Sequence, residues 1–198
     1  MYMNTTTRKS RAVRREQIVG AVLRIVAEEG IGSLTTTALA RDIGVTSGAL
    51  FRHFDTRDQI LEETVSYVAE TIDRTFPDPS LPPVERLQKL AASRIAVLMS
   101  QPGIGWFLHS DQAALSLPPA AVLHLSDCAR RTRAFVLAAL KDGVSVGSVR
   151  GDIPTEHLLV MYLGTIHVFV NRARLRRNAL DIEGIVRALI LVITPPRS

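Results

Sequence analysis

The chain holds a single cysteine, Cys128, in 198 residues. No intramolecular disulfide can form, and a reducing compartment, the cytoplasm, is expected. Alternating Val/Ile/Thr-rich runs are scarce, and Gly and Pro are sparse inside the periodic segments. Both deficits argue against strands and for an all-helical fold. No apolar stretch at the N-terminus resembles a signal peptide, and the longest nearly apolar run, 158–170, is too short to span a bilayer. Acidic residues are missing from the first 15 positions, which carry five cations: Arg8, Lys9, Arg11, Arg14 and Arg15. Net charge is +5 and the hydrophobic fraction is 46%, enough for a substantial core. A cationic arm leading into a helix suits phosphate, because neutralising phosphates releases counterions.

Apolar residues at helical spacing predict helices over about 11–29, 57–75, 84–100, 104–115, 119–141, 154–176 and 181–193. In the first, Ile18, Ala21, Val22, Ile25 and Val26 trace one face. Thr56-Arg57-Asp58-Gln59 has the form of a capping box, and 76–83, with four prolines, is the clearest linker. Residues 34–54 read as helix, three-residue turn, helix. Gly44 suits the left-handed backbone that closes the first helix, and Thr46 or Ser47 can cap the second. Ala40, Ile43, Val45, Leu50 and Phe54 can knit the pair together. Ser47, Gly48, Ala49 and Arg52 then face outward, on a helix short and small enough to enter a DNA major groove.

Across 30–61, Gly30, Leu34-Thr35-Thr36, Leu39-Ala40, Gly44-Val45-Thr46, Gly48, Leu50-Phe51, His53-Phe54, Arg57 and Leu61 fall into one register. That register resembles the TetR family of bacterial transcriptional regulators; beyond residue 62 the likeness rests on helix lengths and the 141–154 loop. The resemblance implies about nine helices in all. A helix-turn-helix domain would occupy 8–55, and a domain for effector binding and dimerisation 56–198. It implies a homodimer that binds an inverted repeat in double-stranded DNA and is released from it by an unknown small-molecule effector, with repression as the default, no cofactor and no enzymatic activity. The alternative is a ligand-independent, architectural DNA-binding protein.

Roles follow residue by residue. Arg11, Thr36, Thr37, His53 and Arg57 would hold phosphates, with Thr36 and Thr37 near a base edge. Thr46, Ser47, Gly48, Ala49 and Phe51 would lie along the groove, and Arg52 would grip a guanine through two hydrogen bonds. Two departures stand out: Phe51 lacks the hydroxyl of the tyrosine often found there, and Asp55 replaces a neutral or basic residue. An effector pocket is expected from Arg94, Leu98, Met99, Trp106, Phe107, His109, His124, Cys128 and Tyr162, with Leu108 beside them. The helices over 154–176 and 181–193 are apolar nearly all round, which asks for cover by a second copy. The expected interface residues are Met161, Thr165, Val168, Phe169, Ile185, Leu189 and Val192.

Arg94 sits in the middle of an apolar helical face, where a cation needs an anion. Asp111 or Asp127 is the expected internal partner, and an acidic effector is the alternative. Gly143-Val144-Ser145-Val146-Gly147 matches G-x-S-x-G, but the strand that motif requires is missing upstream. His109-Ser110-Asp111 points its two ligands to opposite sides of a helix, and the pair His124 and Cys128 is too small a set for a metal. His157 and His167 read as packing residues, and no metal is expected.

Overall fold

The computed structural model describes residues 11–50, 52, 54, 56–175 and 181–196. Among these every regular element is helical. α1 (Arg11–Glu29) buries Ile18, Ala21, Val22, Ile25 and Val26, the face its spacing predicts. A 3-10 turn (Ile31–Ser33) leads to α2 (Thr36–Asp42), capped by Thr35, whose hydroxyl accepts from the Ala38 amide at 3.0 Å.

α2 closes in a Schellman motif. Gly44 takes φ 69°, its N–H donates to Arg41 O, and the Val45 N–H reaches back to Ala40 O at 2.9 Å. α3 (Ser47–Leu50) begins at once, with Thr46 as its cap: the Thr46 hydroxyl accepts from the Ala49 amide at 3.2 Å. Leu39, Ala40, Leu50 and Phe54 turn inward, while Ile43 and Val45 are half-buried at the edge. Ion pairs brace this unit, Arg24 of α1 to Asp42 of α2, and Arg15 of α1 to Glu63 of α4.

α4 (Arg57–Asp73) starts on the expected cap, with Thr56 accepting from the Gln59 amide at 3.2 Å. α5 (Pro83–Ser100) follows the linker with proline in its first turn, where no intrahelical N–H is lost. The single helix expected over 104–115 is instead two: α6 (Pro102–His109) and α7 (Asp111–Ser116). Ser110 stands between them in extended backbone, φ −92° and ψ 125°, so the chain turns a corner the apolar periodicity does not record.

α8 (Pro119–Ser145) runs four residues past its expected end at Lys141. It too closes in a Schellman motif, with Gly147 at φ 73° and the Gly147 and Ser148 amides donating to Val144 O and Gly143 O. The glycines of the G-x-S-x-G match are thereby explained. Gly147 supplies the left-handed residue, and Gly143 lets Val149 pack where a Cβ would be 2.3 Å from its Cγ2. Ser145 is helical and its hydroxyl donates to Asp142 O at 2.7 Å, so it forms no nucleophile elbow. α9 (Thr155–Leu175) and α10 (Ile182–Ile193) complete the fold, α10 capped by Asp181 on the Gly184 amide at 2.7 Å.

One apolar core runs from Ile18 of α1 to Ile193 of α10. α4 joins its two ends, packing on α1 and on α8, while α6 packs on α1 near its start. There Gly103 lies against the Leu23 backbone. Among the described residues no helix is long and apolar enough to cross a membrane.

Candidate DNA interface and effector cavity

The helix-turn-helix leaves a small, open outer surface. Ser47 and Ala49 are half-buried, and Gly48 and Arg52 are exposed. Nothing lies within 4 Å of where a Gly48 side chain would stand, and its φ is not positive. The fold itself therefore does not require glycine at position 48. Thr36 opens α2 half-buried and Thr37 is exposed. Thr46 is occupied as a cap. Arg57 is half-buried, its Nε donating to Leu34 O at 3.3 Å, which ties the start of α4 to the entry of α2. Phe51, His53, Asp55 and the arm before Arg11 lie outside the described residues, as does the side chain of Arg11.

A second site opens between α4, α5, α6, α8 and α9: a cavity of about 440 Å³, within the range of small-molecule sites. Ile72, Leu90, Leu98, Leu159, Leu163 and Ile166 supply apolar wall. Arg94, His109, Cys128, Thr132 and Tyr162 supply its polar groups. Arg133, Val160 and Ala129 are exposed and mark the open side. Of the expected pocket residues, Arg94, Leu98, His109, Cys128 and Tyr162 come together here, with Leu108. Met99, Trp106, Phe107 and His124 do not. Met99 is turned one helical step away from Leu98. Phe107 is buried in the core with Trp106 packed edge-on against it at 5.2 Å, and His124 is exposed near the start of α8. Thr132, which the sequence reading missed, carries no signal beyond lying one turn after Cys128 on the same face.

Arg94 departs most from expectation. Neither Asp111 nor Asp127 reaches it. Asp127 pairs with Arg130 and Arg131, and Asp111 is exposed at the start of α7. Arg94 is only 7% exposed. Its Nε donates to Thr75 Oγ1 at 2.9 Å and its Nη1 to Thr132 Oγ1 at 3.4 Å, and its Cζ stands 5.6 Å from the Phe76 ring centre. Nη2 is buried with no partner. Desolvation lowers the Arg94 pKa below the ordinary guanidinium value.

The neighbouring groups are neutral. Burial pushes the Cys128 thiol up, and it likewise raises the Tyr162 phenol, whose hydroxyl donates to Leu87 O at 2.6 Å. His109 meets His167 edge-on at 4.4 Å. Desolvation of the ring, then His167, then Arg94, push the His109 pKa down to about 4, although the residue as a whole is exposed.

Outside the cavity lining, Met161 and Val168 are exposed on α9, as are Leu191 and Val192 on α10. Thr165, Phe169 and Ile185 are half-buried beside them. Leu189 leaves the expected set: it is 4% exposed and belongs to the core. Periodicity could not sort these residues, because both faces of α9 and α10 are apolar.

The geometry is matched by known proteins. Residues 18–64 match the model of the "Bacterial regulatory proteins, tetR family". The HTH-type transcriptional repressor DhaR of Mycobacterium sp. (strain GP1) is 23% identical over 188 residues, 91% of this chain and 92% of that one. The ketosteroid transcriptional regulator KstR2 of Mycobacterium tuberculosis superposes with TM-score 0.79 at 20% identity, covering 92% of this chain and 96% of that one. AibR, solved in complex with isovaleryl coenzyme A and operator DNA, superposes with TM-score 0.76 at 17% identity, over 93% and 100%. From α1 into α4, residues 18–64 carry the helix-turn-helix region of the TetR family of bacterial regulatory proteins, and the rest of the chain shares the fold of the solved TetR-type regulators.

Proposed function

We propose that this protein is a homodimeric repressor that acts in the cytoplasm, binds an inverted repeat in double-stranded DNA, and releases it when a small molecule enters the cavity. Residues 8–55 form the DNA-reading part and 56–198 the effector and dimer part. Gly48 carries the DNA reading. A glycine the protein has no internal use for, exposed on the second helix of a helix-turn-helix, suits close approach by an outside surface. Arg52 beside it has the donor fork that pairs with guanine, and Thr37 and Arg57 flank it as phosphate contacts.

The apolar faces of α9 and α10, at Met161, Val168 and Val192, suit a self-complementary twofold interface. Two copies would set their recognition helices one turn of duplex apart, ~34–36 Å. The cavity supports ligand control. Ile72 of α4 and Leu108 and His109 of α6 form part of its wall, and both helices pack on α1. A ligand that favours one arrangement of α4 and α6 would shift the paired recognition helices. That AibR was solved with both an acyl coenzyme A and operator DNA fits a ligand-controlled DNA-binding protein of this architecture.

Selection of bound fragments from genomic DNA tests the reading. An enriched inverted repeat, bound less tightly as salt rises, is expected. Enrichment without sequence preference would favour an architectural role instead.

A further inference from the structure

We propose that the cavity takes a ligand with an apolar body and one carboxylate, and that the carboxylate is seated on the Arg94 guanidinium. This rests on the effector reading above and gives the effector a chemistry.

The argument is one of charge. Arg94 is buried in the wall of a cavity whose other lining residues include five leucines and two isoleucines, with Thr132, His109, His167 and the exposed Arg133 among its polar groups. Its two hydrogen-bond partners, Thr75 and Thr132, are uncharged, and Phe76 offers only a ring. The Thr75 hydroxyl donates to Ile72 O at 2.6 Å, which leaves its lone pairs to the guanidinium. Asp73, the carboxylate nearest in effect, is held through both oxygens by Arg131, at 2.8 and 3.1 Å. Cys128 and Tyr162 are held protonated by burial and bring no negative charge. Among the described residues, then, no acid forms an ion pair with Arg94, Asp73 acts on it only at a distance, and its Nη2 has no acceptor.

A buried charge in this state is unfavourable unless a counter-charge arrives. A neutral acceptor such as an ester or amide carbonyl would satisfy Nη2 but leave the charge. A doubly charged phosphate would bring one charge more than the single buried guanidinium balances. A single carboxylate matches both the charge and the fork of donors. Nη2 is shielded, so the head group reaches it through a small rotation of the guanidinium, with the apolar tail lying along Leu98, Leu159 and Ile166.

The test is calorimetric titration of the full chain at neutral pH with a series of straight-chain and aryl-terminated acids, octanoate and phenylbutyrate among them. Each is compared with its primary amide and its methyl ester. The expected result is that at least one acid binds about tenfold or more tighter than its neutral counterparts, about 1.4 kcal/mol. Arg94→Met should erase that preference, binding amide and acid alike, and Arg94→Lys should keep the preference with weaker binding. Equal affinity of acid, amide and ester for the native chain overturns the proposal. So does a preference that survives in Arg94→Met, or a series in which no acid binds. The comparison on the native chain decides the matter even if Arg94→Met does not fold. Adding the tightest acid to the protein on its selected DNA separates the two readings. Binding of the acid with no change in DNA affinity upholds the ligand class and removes the effector switch.

Discussion

Gly103→Ala and Gly105→Ala are the same chemical change two residues apart on α6, yet they should act in opposite directions. A Cβ at Gly103 would stand 2.3 Å from the Leu23 carbonyl oxygen and 2.7 Å from the Leu23 Cα, atoms of the α1 backbone that no rotamer can move. Restoring an ordinary contact of 3.4 Å requires α6 and α1 to part by about 1 Å. Overpacking of that kind costs about 1–3 kcal/mol. At roughly 2–4 °C per kcal/mol for a chain of this size, Tm should fall by about 2–12 °C.

At Gly105 the nearest atom is Leu98 Cδ2 at 4.0 Å, so a methyl fits. Alanine there should gain up to about 1 kcal/mol of helix propensity and raise Tm by a few degrees. Thermal unfolding followed by circular dichroism, at one protein concentration so that dimer mass action is constant, reads both. Gly103 also packs α6 on α1 while the same helix ends in Leu108 and His109 at the cavity wall, so it joins the parts that the proposed ligand switch would couple. Gly103→Ala should therefore blunt ligand response along with stability. If the two variants shift Tm in the same direction by similar amounts, the close α1–α6 contact is not what fixes this junction.

Other outcomes follow from the same structure. Gly48→Ala fills open space on a helix and should hold or raise Tm, by up to about 1 kcal/mol of stability, while weakening DNA binding. Unchanged DNA affinity in a fluorescence anisotropy titration would remove α3 from the interface. Val168 is 55% exposed, so Val168→Asp should cost a lone chain less than about 0.5 kcal/mol yet prevent pairing. Light scattering should report a folded monomer, and a persisting dimer places the interface elsewhere. His109 titrates near 4 in the fold against 6.5 unperturbed. Between those values the unfolded chain binds more protons, so stability should fall as pH drops from 6.5 toward 4. His109→Gln should remove part of that loss in pH-dependent melts, and identical pH profiles for the two proteins would refute the depressed pKa.

The DNA-reading unit was legible because its signals are local. Thr46 and Thr56 cap helices within three residues of themselves, and Gly44 closes α2 through its own backbone; the Thr35 cap of α2 came only with the structure. The cavity was half-legible. Arg94 stood out as a cation on an apolar face, but its surroundings depend on α4 and α8, distant in sequence. Thr75 and Thr132 gave no sign that they would meet it. The Asp127 partnership failed because Arg131, one turn along the same helix, competes for the same carboxylate. The break at Ser110 was invisible because apolar residues continue on both sides of it. Leu189 and Met161 read alike in sequence, and only the packing of α10 on α5 and α9 decides which one is buried.

The central claim is that two copies of this chain present Ser47–Arg52 to adjacent turns of one duplex. A footprint on the fragment selected from genomic DNA, with native mass spectrometry of the same complex, tests it most directly. The account predicts two chains or a multiple of two per site and twofold-symmetric protection centred ~34–36 Å apart. It also predicts that Arg52→Ala relaxes discrimination at one symmetric base pair by ~1–3 kcal/mol. One chain on an asymmetric site, or an Arg52→Ala protein with unaltered sequence preference, would contradict it.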